Sequence, residues 1–512
     1  DFKLMKLRVE GTPSVAEWLG TMLSSSETAV VGLDGYVNSL DEVSVLEQEL
    51  ATRGNISVRT DVDPVDELWI DRPVIPDNMV HLHPLEYAGE PISSKISRVR
   101  QCLVDKGADG LLVTALDEIA WVLNLRGSDV HCNPVFVSYL LFSPEKVTLY
   151  INNLKLSEDV KVYLSTENVE VKEYDAIVEG LRTYRGESLL IDDRTTNYLL
   201  ATAAPYEKVV AGASPIAGMK AIKNKVEQEG FRAAMLRDGI AMVKFLVWLN
   251  PAVEAGNQTE ISLDERLTAL RAEQPKFKGI SFDTIVGYEA HGAIVHYEAT
   301  PESDIPVESH GLVLIDSGAQ YLDGTTDITR TIALGDLTEE QCRVYTLVLK
   351  GHIQLDLCRF PAGACGSQID ALARAPMWRE GYNYMHGTGH GVGSYLNVHE
   401  GPHQIRMEWR SAPLQAGMTV TNEPGLYLEG KFGVRIENTL LIVPAETTAF
   451  GDFLKFETLT LAPIDKKPIV LEMLSEEERE WLNSYHRRVY DKLSLYLDDE
   501  EKEWLRLATL PI

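Results

Sequence analysis

Four carboxylates and one imidazole form an ordered series in the last part of the chain, each in a strand-like or glycine-rich setting. They are Asp316, Asp327, His390, Glu423 and Glu437. Carboxylate oxygens suit hard divalent cations such as Mn²⁺, and a single imidazole nitrogen also allows Zn²⁺ or Co²⁺. Two cations about 3.5–4 Å apart can hold a hydroxide and a carbonyl oxygen together. The series therefore predicts two divalent metal ions and metal-assisted hydrolysis.

The two aspartates are predicted to lie on one β-hairpin. The apolar run 313–315 leads into Asp316, and Asp323-Gly324 is a turn signal before the alternating segment 325–332. Asp316 and Asp327 are an odd number of residues apart, so a two-residue turn puts both side chains on one face. Two surface aspartates beside a turn are the alternative for this pair taken alone.

His390 lies in a glycine-rich segment. Four glycines among residues 386–393 make a helix too costly in backbone entropy, so the main chain is expected to approach another group closely here. A lone histidine is more often a core or surface residue than a ligand. Because His386 and His390 share this segment, a functional site is favoured.

Glu423 and Glu437 are each predicted on a strand. Glu423 follows the β-type run 418–421, and a proline then stops the strand. In residues 434–439 the period of two puts Arg435 and Glu437 on one face and apolar residues on the other. A structural ion pair between Arg435 and Glu437 would explain this pattern equally well, but the five residues together favour a metal.

The sequence His399-Glu400-Gly401-Pro402-His403 matches H-E-x-x-H, the zinc-protease pattern that needs both histidines on one helical face. An interior proline costs a helix about 3 kcal/mol. We therefore reject the zinc-protease helix.

The elements that precede the series alternate between strand-like and helix-like segments, which predicts α/β architecture. A proline-rich connector suggests a domain boundary near residues 72–85. Strands are predicted at 111–113 and 139–142, and helices at 43–50, 117–123, 225–249, 475–482 and 498–505. The apolar run 29–31 precedes the first of these helices, and 189–192 is predicted to be a closing element of the second α/β domain.

Composition limits the possible partners. The 512 residues contain 45% hydrophobic residues, enough for several cores, and 77 Asp plus Glu against 48 Lys plus Arg give a net charge of −29. Such a charge repels phosphate backbones and anionic lipids, so neither a nucleic-acid nor a membrane partner is expected. Five cysteines without CxxC spacing, and apolar runs far shorter than the ~20 residues of a membrane span, predict a cytoplasmic protein.

Three short blocks around the series carry a family resemblance: residues 387–393 (GTGHGVG), 421–425 (TNEPG) and 434–438 (VRIEN). They resemble the M24 metallopeptidases of pita-bread fold, and segment 115–136 is similar to the long, cytosolic-type Xaa-Pro aminopeptidases among them. The resemblance implies a multidomain α/β and α+β protein. Its parts would be a partial creatinase-like α/β domain at 1–80, a second one at 81–222, and a pita-bread (α+β) catalytic domain with a C-terminal helical tail at 223–512.

The resemblance also implies an activity: a metalloaminopeptidase that hydrolyses the N-terminal Xaa-Pro bond of peptides by means of a hydroxide between two metals, Mn²⁺ being the expected ion. Asp327 and Glu437 would bind both metals. Asp316 would complete the coordination of one metal, and His390 and Glu423 that of the other.

The resemblance assigns further roles to neighbouring residues. Glu423 would transfer the proton of the attacking water, His296 would lie beside the scissile bond, and His399 would stabilise the oxyanion. His386 would shape the proline pocket, so that His296, His386 and His399 all bind substrate. Arg435 would orient the ligand carboxylates.

Two alternatives of the same fold are open. An Xaa-Pro dipeptidase (prolidase) shares the ligands and differs in how the substrate C-terminus is held, whereas a non-catalytic interaction module should have lost them. The resemblance further suggests a homodimer. Because the chain begins at Asp1 and its first domain is short for the family, we also expect a missing segment that persists as a separate N-terminal fragment of the same protein.

Overall fold

The computed structural model describes residues 3–7, 9–23 and 28–512. The helices are α1 (Val15–Leu23), α2 (Leu40–Ala51), α3 (Leu85–Ala88), α4 (Ile92–Asp105), α5 (Leu116–Leu123), α6 (Glu158–Thr166), α7 (Ile177–Arg182), α8 (Tyr198–Ala203), α9 (Pro215–Ala221), α10 (Lys225–Ala255), α11 (Glu260–Ala272), α12 (Glu339–Asp356), α13 (Gly366–Trp378), α14 (Glu476–Leu493) and α15 (Asp499–Ala508).

The strands are β1 (Ala29–Gly32), β2 (Ile56–Arg59), β3 (His81–Leu82), β4 (Gly110–Val113), β5 (Leu125–Arg126), β6 (Tyr139–Phe142), β7 (Val147–Tyr150), β8 (Val169–Lys172), β9 (Leu189–Ile191), β10 (Val209–Ala211), β11 (Phe277–Ile280), β12 (Ile285–Tyr288), β13 (Leu312–Ser317), β14 (Ala319–Tyr321), β15 (Gly324–Thr325), β16 (Ile328–Ala333), β17 (Arg359–Pro361), β18 (Gly389–Gly391), β19 (Glu400–Ile405), β20 (Thr419–Asn422), β21 (Gly425–Leu428), β22 (Phe432–Arg435), β23 (Asn438–Thr448) and β24 (Gly451–Thr458).

The chain divides into two compact units. The first consists of Asp1–Leu82, Ile92–Asp129 and Val135–Ile216, and the second of His83–Pro91, Val130–Pro134 and Ala217–Ile512. The domain boundaries expected at residues 80 and 222 stay a prediction.

The first unit is an α/β structure. Its main sheet has the strand order β10-β9-β4-β6-β7-β8. The pairs β4–β9, β9–β10 and β7–β8 are parallel, whereas β6 runs antiparallel to both of its neighbours. A separate parallel pair, β1–β2, accompanies α2. The strands predicted at 111–113 and 139–142 and the helices predicted at 43–50 and 117–123 are therefore confirmed, with ends shifted by up to three residues. The apolar run at 29–31 and the closing element at 189–192 are strands as well.

The second unit combines antiparallel sheets with long helices, as an α+β structure does. One sheet has the order β12-β13-β16 and another the order β17-β24-β23-β20. A large apolar core contains side chains of α10, α12 and α14 together with those of β21 and β22. Both predicted C-terminal helices are present as α14 and α15, each longer than expected.

Helix α10 extends six residues beyond its predicted end at Leu249. Asn224 caps its first turn in a capping box with Glu227. The helix continues through Pro251, because Val253 in the last turn is buried in an apolar cluster. Packing of that turn thus outweighs the cost of an interior proline. Among the described residues, no helix has the length and hydropathy that crossing a bilayer requires.

Candidate metal centre

Asp316 and Asp327 lie on a single antiparallel hairpin. Asp316 is the fifth residue of β13 and pairs with Thr329 of β16, while Asp327 directly precedes β16. Tyr321 pairs with Gly324, so a two-residue turn closes the hairpin one residue earlier than the predicted turn signal. The register places both carboxylates on the same cavity wall. The predicted hairpin and shared face are confirmed.

Close packing of main chains positions His390. A Cβ atom on Gly389 would lie 1.9 Å from the carbonyl oxygen of Thr421, so only glycine fits there. The His390 N–H donates to Oγ1 of Thr421 at 3.1 Å, and Nδ1 lies 2.8 Å from the carbonyl oxygen of Gly391. The Nδ1 proton is therefore engaged, and Nε2 is directed into the cavity, 3.4 Å from both Asp327 and Glu423.

Strand ends position the two glutamates. Glu423 follows β20, and its N–H donates to the carbonyl oxygen of Thr388 at 2.8 Å. Glu437 lies between β22 and β23, and its Oε2 accepts a 2.7 Å hydrogen bond from Oγ1 of Thr329. On the opposite face of this segment, Ile436 is fully buried in the apolar core. The predicted alternation of faces is confirmed.

Arg435 forms its ion pair with Asp316 rather than with Glu437. Its Nη2 and Nε donate to Oδ2 of Asp316 at 2.7 and 3.1 Å, and its Nη1 donates to Tyr427 Oη at 2.7 Å. The other carboxylate oxygen of Asp316, Oδ1, is buried without a hydrogen-bond partner among the described residues. A buried carboxylate oxygen in that state needs a cation or a proton.

Burial and the closeness of several carboxylates shift the pKa values at this site. Burial raises the pKa of Asp327, raises the pKa of Glu423 to about 7 and raises that of Glu437 well above its usual value; the neighbouring carboxylates add to each effect. Burial alone would lower the pKa of His390, but the hydrogen bond to Asp327 and the charge of Glu423 raise it to about 9. The protein thus lacks enough positive charge of its own here.

The donor set fits divalent cations. One ligand atom each from Asp327, His390 and Glu437 lie within 4.8 Å of one another, and the unpartnered Oδ1 of Asp316 borders the same cavity. Hard oxygens predominate, which suits Mn²⁺, and the single imidazole is compatible with Zn²⁺ or Co²⁺. All five predicted ligands line this one cavity of about 270 Å³.

The three other predicted histidines lie on the walls of the same cavity. The His399 ring packs edge-on against His390, with 4.3 Å between ring centres. Burial lowers the pKa of His386 to about 3 and that of His399 to about 4, so both rings are uncharged at neutral pH. His386 Nε2 lies 2.8 Å from Tyr427 Oη. His296 is exposed at the mouth.

The H-E-x-x-H segment is a strand, as its rejection as a helix required. Residues Glu400–Ile405 form β19, and Glu400 is buried in ion pairs with Lys220, at 2.7 Å, and Lys223. His403 is fully buried, with Nε2 2.7 Å from the carbonyl oxygen of Thr419. Among its two histidines, only His399 borders the cavity.

Sequence reasoning missed two residues that contact the predicted ligands or the residues bound to them. Thr329 contacts both Glu437 and Arg435, and Tyr427 links Arg435 to His386. Thr329 could have been found, because it follows Asp327 by two positions and so shares its face of the strand. Tyr427 carries no comparable local signal. Gln404 and Arg406 also line the cavity and were not predicted.

Family models match most of the chain from residue 71 onward. Residues 71–227 match the Creatinase/Prolidase N-terminal domain, residues 229–444 match metallopeptidase family M24, and residues 452–512 match the C-terminal region of peptidase M24.

Similar proteins bear related names. Aminopeptidase P1 of Arabidopsis thaliana is 38% identical over 99% of this chain and 86% of its own length. The crystal structure of an X-prolyl aminopeptidase from Caenorhabditis elegans, described as a cytosolic enzyme with a di-nuclear active site, matches with a TM-score of 0.94 and 34% identity over 100% of this chain and 85% of that one. An Xaa-Pro dipeptidase from Bacillus anthracis matches less closely, with a TM-score of 0.60 and 25% identity over 73% of this chain and 99% of that one.

The likeness along the whole chain, the family models and the convergence of the five predicted ligands agree with one another. The fold is accordingly the creatinase-type N-terminal architecture followed by a pita-bread domain. The chain belongs to the Xaa-Pro aminopeptidases of metallopeptidase family M24.

Proposed function

We propose that this chain is a metalloaminopeptidase that removes the first residue of peptides whose second residue is proline. The observation that carries this function is the convergence of Asp316, Asp327, His390, Glu423 and Glu437 on one cavity in a chain that resembles Xaa-Pro aminopeptidases along its full length. A dinuclear centre supplies Lewis acidity that polarises the scissile carbonyl and makes the attacking water more acidic.

Each ligand has a proposed place. Asp327 and Glu437 would be shared between the two ions, because the Glu437 N–H donates to the carbonyl oxygen of Thr329, two residues after Asp327, and so holds Glu437 close to it. Asp316 would complete one coordination sphere through its unpartnered Oδ1. His390 and Glu423 would complete the other. Mn²⁺ is the proposed ion because four of the five donors are carboxylates.

Glu423 is the proposed proton carrier. Its carboxylate borders the cavity and lies 3.4 Å from His390 Nε2. In this role it accepts a proton from the attacking water and delivers it to the proline nitrogen as the peptide bond breaks. The nitrogen needs that proton, since an amide nitrogen is a poor leaving group without it.

The cavity histidines would bind and orient the substrate. We propose that His399, uncharged at neutral pH, donates an N–H to the oxygen that develops negative charge. His296 at the mouth would lie beside the scissile bond. His386, fixed by Tyr427, would form part of the proline pocket.

A metal-dependent mechanism suits this substrate. An Xaa-Pro bond is a tertiary amide with no N–H, so an enzyme that docks the scissile amide as a β-strand loses a hydrogen bond there. Polarisation of the carbonyl oxygen does not need that donor.

The test compares an Xaa-Pro dipeptide with an Xaa-Pro-Yaa tripeptide, before and after chelation and with Mn²⁺ restored. We expect cleavage of the tripeptide between Xaa and Pro, lost on chelation and regained with Mn²⁺. Glu423→Gln protein, prepared in the same way, gives the background. Cleavage of dipeptides alone would assign the chain to the prolidases, and no cleavage at full metal occupancy would assign it to interaction modules.

Location and assembly are further parts of the proposal. We propose a cytoplasmic enzyme, supported by the description of the Caenorhabditis elegans neighbour as cytosolic and by five free cysteines. We propose a homodimer on the family resemblance, and light scattering that gives the mass of one chain would contradict it. The separate N-terminal fragment stays a prediction.

A further inference from the structure

A second cluster of side chains of the types that bind metals lies outside the proposed catalytic centre, in the same unit of the fold. It consists of His131, Cys132 and Asp283, whose ligand atoms all lie within 4.8 Å of one another. Neither the catalytic mechanism nor the buried core uses these side chains. The combination of imidazole, thiol and carboxylate differs from that of the catalytic site, where the only donors are carboxylates and one imidazole.

The main chain holds this cluster in place. Cys132 adopts a φ of 59°, in the left-handed region that a cysteine rarely occupies. The carbonyl oxygen of Cys132 accepts a hydrogen bond from Nε2 of Gln320 at 3.1 Å, and the same Nε2 donates to Leu396 at 2.8 Å. The Asn133 N–H closes the turn onto the carbonyl oxygen of Val130. The thiol is therefore presented from a fixed loop rather than from a free one.

Two of the three side chains are within hydrogen-bond distance of each other. His131 Nε2 lies 2.7 Å from Oδ1 of Asp283. Tetrahedral ligands at about 2.0–2.3 Å from zinc lie roughly 3.3–3.8 Å apart, so the cluster needs only small adjustments to surround an ion. His131 and Asp283 are exposed at 73% and 48% of their side-chain area, which leaves them free to make those adjustments.

The chemistry of the cluster selects the ion. A thiolate favours a borderline or soft cation such as Zn²⁺ over Mn²⁺, and three protein ligands leave a fourth position for water. We propose that His131, Cys132 and Asp283 form a second, thiolate-containing site for Zn²⁺-class cations, separate from the catalytic pair. On binding, the Cys132 Sγ–H bond breaks, the sulfur donates its electron pair to the cation, and the proton passes to solvent.

Asp283 is close in the chain to residues of the catalytic cavity. Asp283 lies between Phe282 and Ile285, and both of these residues line that cavity. A cation held by Asp283 would share no ligand with the catalytic centre.

Cobalt spectroscopy on Mn²⁺-loaded enzyme tests the proposal. Co²⁺ bound to a thiolate gives a sulfur-to-cobalt charge-transfer band in the near ultraviolet, and no predicted catalytic ligand is a cysteine. We expect one such band, saturating at one Co²⁺ per chain. Cys132→Ser should abolish it, and Asp283→Ala should raise the Co²⁺ concentration at half-saturation at least tenfold. Cys342→Ser, which changes another partly buried free cysteine, is the matched control and should keep the band.

Alkylation of the unaltered enzyme gives a second readout that does not depend on the folding of a variant. Zn²⁺ should slow alkylation of Cys132 and leave that of Cys342 unchanged, as measured by peptide mass spectrometry. The proposal is overturned if no charge-transfer band forms, if Cys132→Ser retains it, or if Zn²⁺ fails to protect Cys132. His131 and Asp283 would then be a simple surface hydrogen-bonded pair.

Discussion

Removal of one hydroxyl group, in Tyr427→Phe, should weaken metal binding without touching any ligand. Tyr427 Oη accepts a hydrogen bond from Arg435 Nη1 at 2.7 Å and lies 2.8 Å from His386 Nε2. Because His386 Nδ1 is engaged by the Gly387 carbonyl oxygen, Nε2 accepts the tyrosine proton. Arg435 in turn binds Asp316 through its other nitrogens. The hydroxyl therefore fixes the guanidinium that orients a metal ligand.

The expected size follows from these contacts. A hydrogen bond from a charged donor contributes about 1.5–3 kcal/mol and a neutral one about 1 kcal/mol, so the free energy of unfolding should fall by about 2.5–4 kcal/mol. Loss of a residue that orients a metal ligand typically costs tenfold to a hundredfold in metal affinity or activity. We expect Mn²⁺ affinity to fall by about that factor, with a parallel loss in kcat/KM.

The assay measures Mn²⁺ binding to chelated protein by calorimetry, together with thermal unfolding. Tyr345→Phe is the matched control, because Tyr345 is fully buried and its hydroxyl donates to the carbonyl oxygen of Asp465 at 2.9 Å, a contact that involves no predicted ligand. It should lose stability while keeping Mn²⁺ affinity. If Tyr427→Phe loses stability but binds Mn²⁺ like the unaltered protein, the proposed chain from Tyr427 through Arg435 to Asp316 is refuted.

Three further outcomes are expected. Glu423→Gln should lower kcat at least a hundredfold, because the amide cannot take a proton from water. Its circular dichroism spectrum should be unchanged, and near-normal turnover would show that Glu423 does not transfer the proton. In chelated protein, the pKa of Glu423 is about 7 and that of His390 about 9, whereas the unfolded chain releases these protons near 4.5 and 6.5. Above pH 7 the folded state therefore binds more protons than the unfolded chain, and the melting temperature should fall as pH rises from about 7 to 9; a flat or rising curve over that range would contradict the buried charge cluster. Gly389→Ala should destabilise the protein by about 1–3 kcal/mol or prevent folding, because the added Cβ would lie 1.9 Å from a carbonyl oxygen. In the control Gly387→Ala the added Cβ meets only contacts at 3.5 Å or longer, so this variant should melt within about 2 °C of the unaltered protein. Equal melting temperatures of the two variants would refute the close approach at Gly389.

The convergence of the five predicted ligands on one cavity could be predicted, because each lies in a local pattern that determines its direction; their roles as ligands stay a prediction. The odd spacing of Asp316 and Asp327 places both on one hairpin face, and the period of two after Val434 directs Arg435 and Glu437 towards the cavity. Four glycines around His390 indicated close main-chain packing before the partner was known. Such short-range rules need no knowledge of the tertiary fold.

Features that depend on distant contacts were missed or misplaced. The partner of Arg435 is Asp316, which is 119 positions away in the chain, and local alternation gave no reason to prefer it over Glu437. Helix α10 passes its predicted end because Val253 packs into a core formed by other segments. The cluster at Cys132 contains His131 and Asp283, which are 152 positions apart in the chain, so no local motif could predict it.

Crystallographic location of the metals tests the central claim most directly. Crystals of the enzyme grown with Mn²⁺ would be measured on both sides of the manganese absorption edge, so that anomalous difference maps locate the ions. We predict two manganese peaks about 3.5–4 Å apart among Asp316, Asp327, His390, Glu423 and Glu437. A single peak, or peaks that lie away from these five side chains, would contradict a dinuclear centre at this site.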